Sequence, residues 1–432
     1  MIYAIVGYAI IILMMFMILK KKATPAFCFS ILPVIGALIC GFSFPEILEF
    51  INKGMGSVWK TAILFIFSVC YFSVMNDAGL FEPLVKGLVK MAGSNITLIM
   101  IATSLIAVVA HMDGACASTY LITIPVMLPI FKKMKLNPLI LLLLVGLSTG
   151  VMNLVPWGGP TMRAASVANI EVGDLYSFMI PGVICLALIA FGIALIVSKI
   201  EKKHGAGTAA EVLSEEKEEQ NEKKQGKKGI YVFNLILTLA MLVLLFMDTP
   251  LPLYSIFMIA FAIALIVNYP NAKQQNKKIK EYGTNAMVMT VTLFSVGVFM
   301  GVIKDSGMVE AMANTIVAVL PSAIAPHMHW FMCLFSVPLL MVLGTDAFYY
   351  ALLPIIIGVV EPFGVTPETV AAAFLLTATL GTPVSPSVAA VYVGLGLSDV
   401  SIGEHIKYSL RLVWPASIVV LVLATVIGVI KF

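Results

Sequence analysis

HMDGACASTYLITIPVMLPIFKKMKLNPLILLLLVGLSTGVMNLVPWGGPTMRAAS, residues His111 to Ser166, decides how this chain must be read. Apolar sequence is interrupted there twice, at His111–Thr119 and at Asn153–Arg163. Both interruptions carry Gly, Ser or Thr, and charged or amide groups. Non-helical polar backbone at membrane depth is tolerated only where protein buries it or water reaches it. The two interruptions are therefore either loops outside a bilayer or parts of a binding site built from broken helices. The rest of the chain discriminates between these readings.

The 432 residues are 60% hydrophobic and 12% charged, with a mean hydropathy of +1.02. That composition excludes an ordinary soluble domain and indicates a polytopic membrane protein. No nucleic-acid signature is present. The first apolar run carries its charges behind it, at Lys20–Lys22, the reverse of a cleaved signal peptide, so a retained span is expected. Six cysteines (28, 40, 70, 116, 185, 333) show no paired spacing, and the five in apolar runs read as small buried hydrophobes. Cys116, inside the first interruption, is a natural labelling site.

The order of segments repeats. Ile2-Tyr3 recurs as Ile230-Tyr231, Phe67-Ser68-Val69 as Phe294-Ser295-Val296, and Asp77–Glu82 (DAGLFE) as Asp305–Glu310 (DSGMVE), each offset by about 228 residues. Several matches in order at one spacing indicate an internal duplication. Residues 1–198 read as a first membrane repeat, with a re-entrant hairpin near 95–131 and a broken helix at 138–169. Residues 199–228, rich in Glu and Lys, read as a charged cytosolic linker. Residues 229–432 read as a second repeat, with a hairpin near 328–361 and a broken helix at 367–397. Gly79–Gly93 and Gly307–Leu320 read as amphipathic interfacial helices. Lysines cluster at Lys20–Lys22, Lys132–Lys135, the linker and Lys273–Lys280. The positive-inside tendency then puts the N-terminus outside and the linker in the cytosol of a cell-membrane protein. Five crossings per repeat is an odd number, so the second repeat is expected to be inverted. The expected fold class is an all-α polytopic membrane protein of two inverted-topology repeats, an architecture of secondary transporters.

The chemistry gathers at the breaks. Asp113 and Asp346 are expected to lie deepest, where a carboxylate costs about 2.5–3.5 kcal/mol unless water, a cation or a partner receives it. Each can cap the second arm of its hairpin, handle a coupling ion or metal, or do both. Asn153 could join them through its amide oxygen. Two arginines, Arg163 and Arg411, stand against 25 lysines (27 basic residues less two). Arg163, just behind the second interruption, could hold a substrate carboxylate in a bidentate pair or instead pair with Asp113 or Asp346. Ser118, Thr119, Asn153, Gly158, Gly159 and Thr161 complete the candidate substrate site in the first half, and Thr345, Thr382 and Ser385 in the second. Trp157 reads as an aromatic-belt residue in preference to a pocket wall. His111 reads as a structural hydrogen-bonding group, and His327 and His329 as a pair in an exposed outer loop.

His111–Pro129, Met152–Ser166 (MNLVPWGGPTMRAAS), Phe294–Val302 (FSVGVFMGV) and Asp346–Ile355 (DAFYYALLPI) resemble the bacterial citrate–metal–proton symporters, the CitMHS family of the ion transporter superfamily. The resemblance covers nearly the whole chain apart from the linker. It implies no enzyme and no resident cofactor. It implies uptake of citrate, with Mg²⁺ or another divalent cation accompanying the substrate, driven by protons. Relatives in the superfamily imply a homodimer working by an elevator movement. Two positions depart from the family pattern. A second acid in the first tip is replaced, leaving Asp113-Gly114-Ala115-Cys116, and a Gln-Pro-Val-His run is replaced by Thr382-Pro383-Val384-Ser385. A smaller or metal-free carboxylate, or Na⁺ as coupling ion, suits these residues equally. A cation/proton antiporter, with Asp113 and Asp346 as exchanging carboxylates, is the competing reading.

Overall fold

A computed structural model describes residues 1–20, 22–203, 228–247, 250–321 and 323–432. Most of the expected linker lies outside the described residues, as do Asp248 and Thr249. Every element among the described residues is helical. The first half comprises α1 (Ile2–Leu19), α2 (Pro25–Ile39), α3 (Phe44–Asp77), α4 (Glu82–Ala92), α5 (Ile96–Ala110), α6 (Cys116–Lys133), α7 (Pro138–Met152), α8 (Gly159–Ala168) and α9 (Val172–Lys203). The second comprises α10 (Lys228–Phe246), α11 (Leu253–Asn268), α12 (Ala272–Asp305), α13 (Met308–Val319), α14 (Met328–Leu334), α15 (Ser336–Ala347), α16 (Leu353–Val360), α17 (Pro367–Ala378), α18 (Ala389–Ser398) and α19 (Ile402–Val426). The two series run in parallel. Both α3 and α12 have 34 residues. Both α8 and α18 have ten, and each stops at a left-handed residue, Asn169 and Asp399.

Five described helices are long and apolar enough to cross a membrane, and a sixth span results if the pair 367–384 and 389–398, bent by 44°, is counted as one. Seven further described helices are apolar but shorter. The sequence reading expects ten crossings; α1, α2, α10, α11 and the broken helix at 138–169, all counted there as crossings, are the ones whose described helices fall short of span length. One of the five long helices, Ser336–Phe363, contains the Gly344 turn of the second hairpin. α5 and α7 have 15 residues each, which rise only about 22 Å against a hydrocarbon core of ~30 Å. They stop short because they run into breaks.

α3 and α12 cross backbone to backbone. A Cβ on Gly54 would lie 1.9 Å from the Gly297 carbonyl, and one on Gly301 would lie 2.1 Å from the Phe50 carbonyl. Small residues of this kind let membrane helices approach closely. At one end of the crossing, Asp77 accepts from Lys278 Nζ (2.5 Å) and Tyr282 OH (2.6 Å), tying the C-terminus of α3 to the polar start of α12. α2 and α11 flank this pair.

α7 and α17 form the centre. From Ile140 to Gly150, and from Thr369 to Ala378, every side chain is buried. Helices that are apolar on every face are enclosed by others. α7 packs on α5, α6 and α9 and on the 3-10 segment Thr379–Val384 that follows α17. Gly146 and Gly150 admit that segment, since a Cβ on either would sit 2.8 Å from Pro383 Cβ or 3.0 Å from Leu380 Cδ2. Two hairpins complete the interior. α5 and α6 pack together around the turn at residues 111–115. α14 packs back on α16, so the chain turns between them, at Gly344 (φ 75°, ψ 166°), within α15. Phe348–Leu352 continues as a π-turn, a form frequent at functional sites.

Candidate functional site

Helix capping separates the interior from the surface. Asn95, Asn137, Thr366 and Ser401 cap the outer ends of α5, α7, α17 and α19 with their side chains. The helices that start at the interior breaks, α6, α8 and α18, begin at Ala115, Gly158 and Val388 with no side-chain cap. Their first N–H groups remain available to an anion, and the helix dipole favours one there.

The first break is closely wired. His111, fully buried, bonds Thr119 Oγ1 through Nδ1 (2.7 Å) and Asn153 Oδ1 through Nε2 (3.2 Å). Because Nε2 faces the Asn153 amide oxygen, the amide NH2 of Asn153 turns away from the ring. That Nδ2 is buried and has no partner among the described residues. Thr161 Oγ1 donates to the Asn153 carbonyl at 3.1 Å. Gly158 is required by space, because a Cβ there would lie 2.2 Å from the same carbonyl oxygen. Asp113 is satisfied within its own tip, accepting from Ala115 N (2.9 Å) and Ser118 Oγ (2.5 Å). Asp113, Ser118, Thr119, Asn153, Gly158 and Thr161 thus form one connected group.

Trp157 corrects the expectation of an interfacial belt residue. It is 2% exposed, packs tilted against Phe72 (5.7 Å) and edge-on to Phe257 (5.4 Å), and donates from Nε1 to the Met112 carbonyl at 2.9 Å. It fastens the hairpin tip to the break. His329 likewise leaves the expected outer loop. It is fully buried and bonds the Lys431 carbonyl at 2.8 Å, while His327 stacks on Phe432.

The second break is built differently. Ser385 is fully buried and its hydroxyl reaches Met341 O (3.3 Å) and Ser387 Oγ (2.7 Å). Ser387 Oγ lies 3.2 Å from where a Cβ of Gly344 would be, so this break touches the second hairpin's turn. Thr382 is buried with an unpartnered hydroxyl, and Thr345 is half-buried beside the turn. His405, which the sequence does not single out, bonds the Pro383 carbonyl at 3.0 Å from α19.

One contact joins the two groups. Arg163 Nε donates to Asp346 Oδ1 at 2.9 Å, with side-chain exposures of 15% and 25%. The guanidinium lies 6.0 Å over the Tyr350 ring, and Gly159 makes room for it, since a Cβ there would sit 2.9 Å from its NH1. The buried hydroxyls of Tyr349 and Tyr350 are unpartnered among the described residues. They follow Asp346 directly in DAFYYALL, the signal that could have placed them in the site. No group of three or more His, Cys, Asp or Glu suited to a metal ion occurs among the described residues.

An apolar helical chain whose polar side chains converge on interrupted helices in its interior is a multi-pass membrane transporter. The citrate transporter family model (CitMHS) matches residues 2–381. A citrate transporter of Bacillus subtilis (strain 168) is 33% identical over 433 residues, covering 99% of this chain and 100% of the relative. The Mg(2+)/citrate complex secondary transporter of the same organism is 32% identical over 439 residues, covering 99% of each. Its uncharacterized transporter YraO is 29% identical over 440 residues, covering 99% of each. The chain belongs to the citrate transporter family, whose members are transporters and not enzymes.

Proposed function

We propose that this protein is a secondary symporter that imports citrate or a related di- or tricarboxylate, with a divalent metal as part of the cargo. The observation that carries the reading is the Arg163–Asp346 contact. It places a half-buried guanidinium from one half against a carboxylate from the other, at the start of the uncapped helix α8. A substrate carboxylate can take the bidentate face of Arg163, the Asn153 amide NH2 and the free N–H groups of α8. Asp346, released from Arg163, then faces a coupling proton, Na⁺ or the metal riding on the substrate. Asp113, Ser118, Thr119, Thr345, Thr382 and Ser385 supply the remaining oxygens. The printed name of one relative includes a Mg(2+)/citrate complex, which supports metal as cargo.

The parallel order of elements supports two inverted repeats in the cell membrane, with the N-terminus outside and a cytosolic linker. The Gly54–Gly297–Gly301 crossing of α3 and α12 suits a fixed scaffold. The enclosed α7, α17 and hairpins suit a body that moves against it, elevator-fashion, in a homodimer. Counterflow in vesicles with a panel of di- and tricarboxylates tests this, each with and without Mg²⁺, Na⁺ and a proton gradient. Citrate exchange that rises with Mg²⁺ and with one cation gradient is expected. Cation exchange with no carboxylate effect would select the antiporter.

A further inference from the structure

The two amphipathic helices are covered differently. α13 is buried under protein on two sides. Tyr8 of α1 bonds Thr315 Oγ1 (2.7 Å) and the Met312 carbonyl (2.8 Å). Gly358 of α16 comes so close that a Cβ would lie 3.2 Å from Val309 Cγ1 and 3.3 Å from Ala313 Cβ. α4 takes the matching place in the first half, yet α10, the counterpart of α1, packs on α11. Between α4 and the first hairpin lies a cavity of about 770 Å³. One wall is apolar, with Leu121, Ile122, Pro125 and Val126 of α6. Lys86 and Lys90 stand on the other. They are one helical turn apart, on one face. Both are exposed, and neither has a hydrogen bond or ion pair among the described residues. Glu82 is the single acid in the lining.

We propose that this groove binds an anionic phospholipid, its phosphate on Lys86 and Lys90 and its acyl chains along the α6 wall. Charge complementarity selects the occupant. An interfacial helix with unpaired lysines above an apolar trough attracts a group that is anionic at one end and apolar at the other. A soluble anion would leave the trough wet, and a neutral lipid would leave two lysines unmatched.

The test is lipid retention and does not depend on transport. The protein is purified from vesicles of phosphatidylcholine with added phosphatidylglycerol, and the bound lipid is counted by native mass spectrometry. Phosphatidylglycerol should be retained preferentially. The Lys86→Gln/Lys90→Gln variant should lose that preference by about thirtyfold, the worth of two interfacial lysines. Ile122→Trp, which fills the trough and keeps both lysines, should also lose the lipid. Glycerol phosphate should not displace it. Equal retention by the wild type and both variants, or displacement by glycerol phosphate, would overturn the proposal.

Discussion

The two hairpin tips carry the same residue type and use it in opposite ways. Asp113 folds back on its own tip, accepting from Ala115 N and Ser118 Oγ, and His111 and Trp157 fasten that tip to the break of its own half. Asp346 reaches across the molecule to Arg163 of the other half. The first tip is therefore a pre-formed cradle. Under the proposed function, the second supplies the partner whose ion pair a substrate exchanges. Removing one member of this half-buried pair leaves the other charge uncompensated, at a cost below the about 3–5 kcal/mol of a fully buried pair. Exchanging the partner for a substrate carboxylate avoids that cost.

This contrast orders the expected effects of substitution. Arg163→Ala removes the guanidinium that pairs with the second tip's Asp346 and should abolish carboxylate uptake in vesicles while membrane insertion persists. Normal uptake would take Arg163 out of the site. Asp346→Asn should come next. It frees Arg163 for substrate but removes the carboxylate offered to the coupling ion, so counterflow should persist while gradient-driven accumulation is lost. Accumulation at the wild-type level would give Asp346 a purely structural role. Asp113→Asn keeps one acceptor oxygen, enough for Ala115 N, and turns the Ser118 contact round so that the amide NH2 donates to Oγ; a several-fold fall in uptake is expected, well short of the Arg163→Ala loss. If the two were equally severe, the tips would not differ as described. Trp157→Phe keeps the ring contacts and removes one hydrogen bond to Met112 O, worth about 1 kcal/mol. A lowered melting temperature with uptake largely kept is expected, and abolished uptake would make Trp157 part of the substrate pocket.

The breaks are legible in the sequence because their cause is local. Gly158, Gly159, Pro160 and the Gly381–Pro386 run carry the residues that end helices. The turn at Gly344 is legible as a Gly-Thr-Asp interruption in an apolar run, but its form is not. A single positive φ followed by a π-turn keeps the helical pattern almost unbroken. Arg163 stands out as one of two arginines, and its alternatives include the partner it has. What the sequence hides is contact at a distance. Trp157 looks like an interface residue by type, and only packing against Phe72 and Phe257 buries it. His405 carries no motif, since its value lies in reaching Pro383 O from another helix. The short lengths of α5 and α7 are legible too, because the sequence shows each apolar run ending at its break.

The central claim is that Arg163 binds the substrate and Asp346 yields it. Its most direct test is equilibrium citrate binding, with and without Mg²⁺, to the purified wild type, Arg163→Ala, Asp346→Asn and the double variant by calorimetry. The expected result is binding by the wild type and Asp346→Asn, none by Arg163→Ala, and a double variant indistinguishable from Arg163→Ala. Wild-type citrate affinity in Arg163→Ala would contradict it.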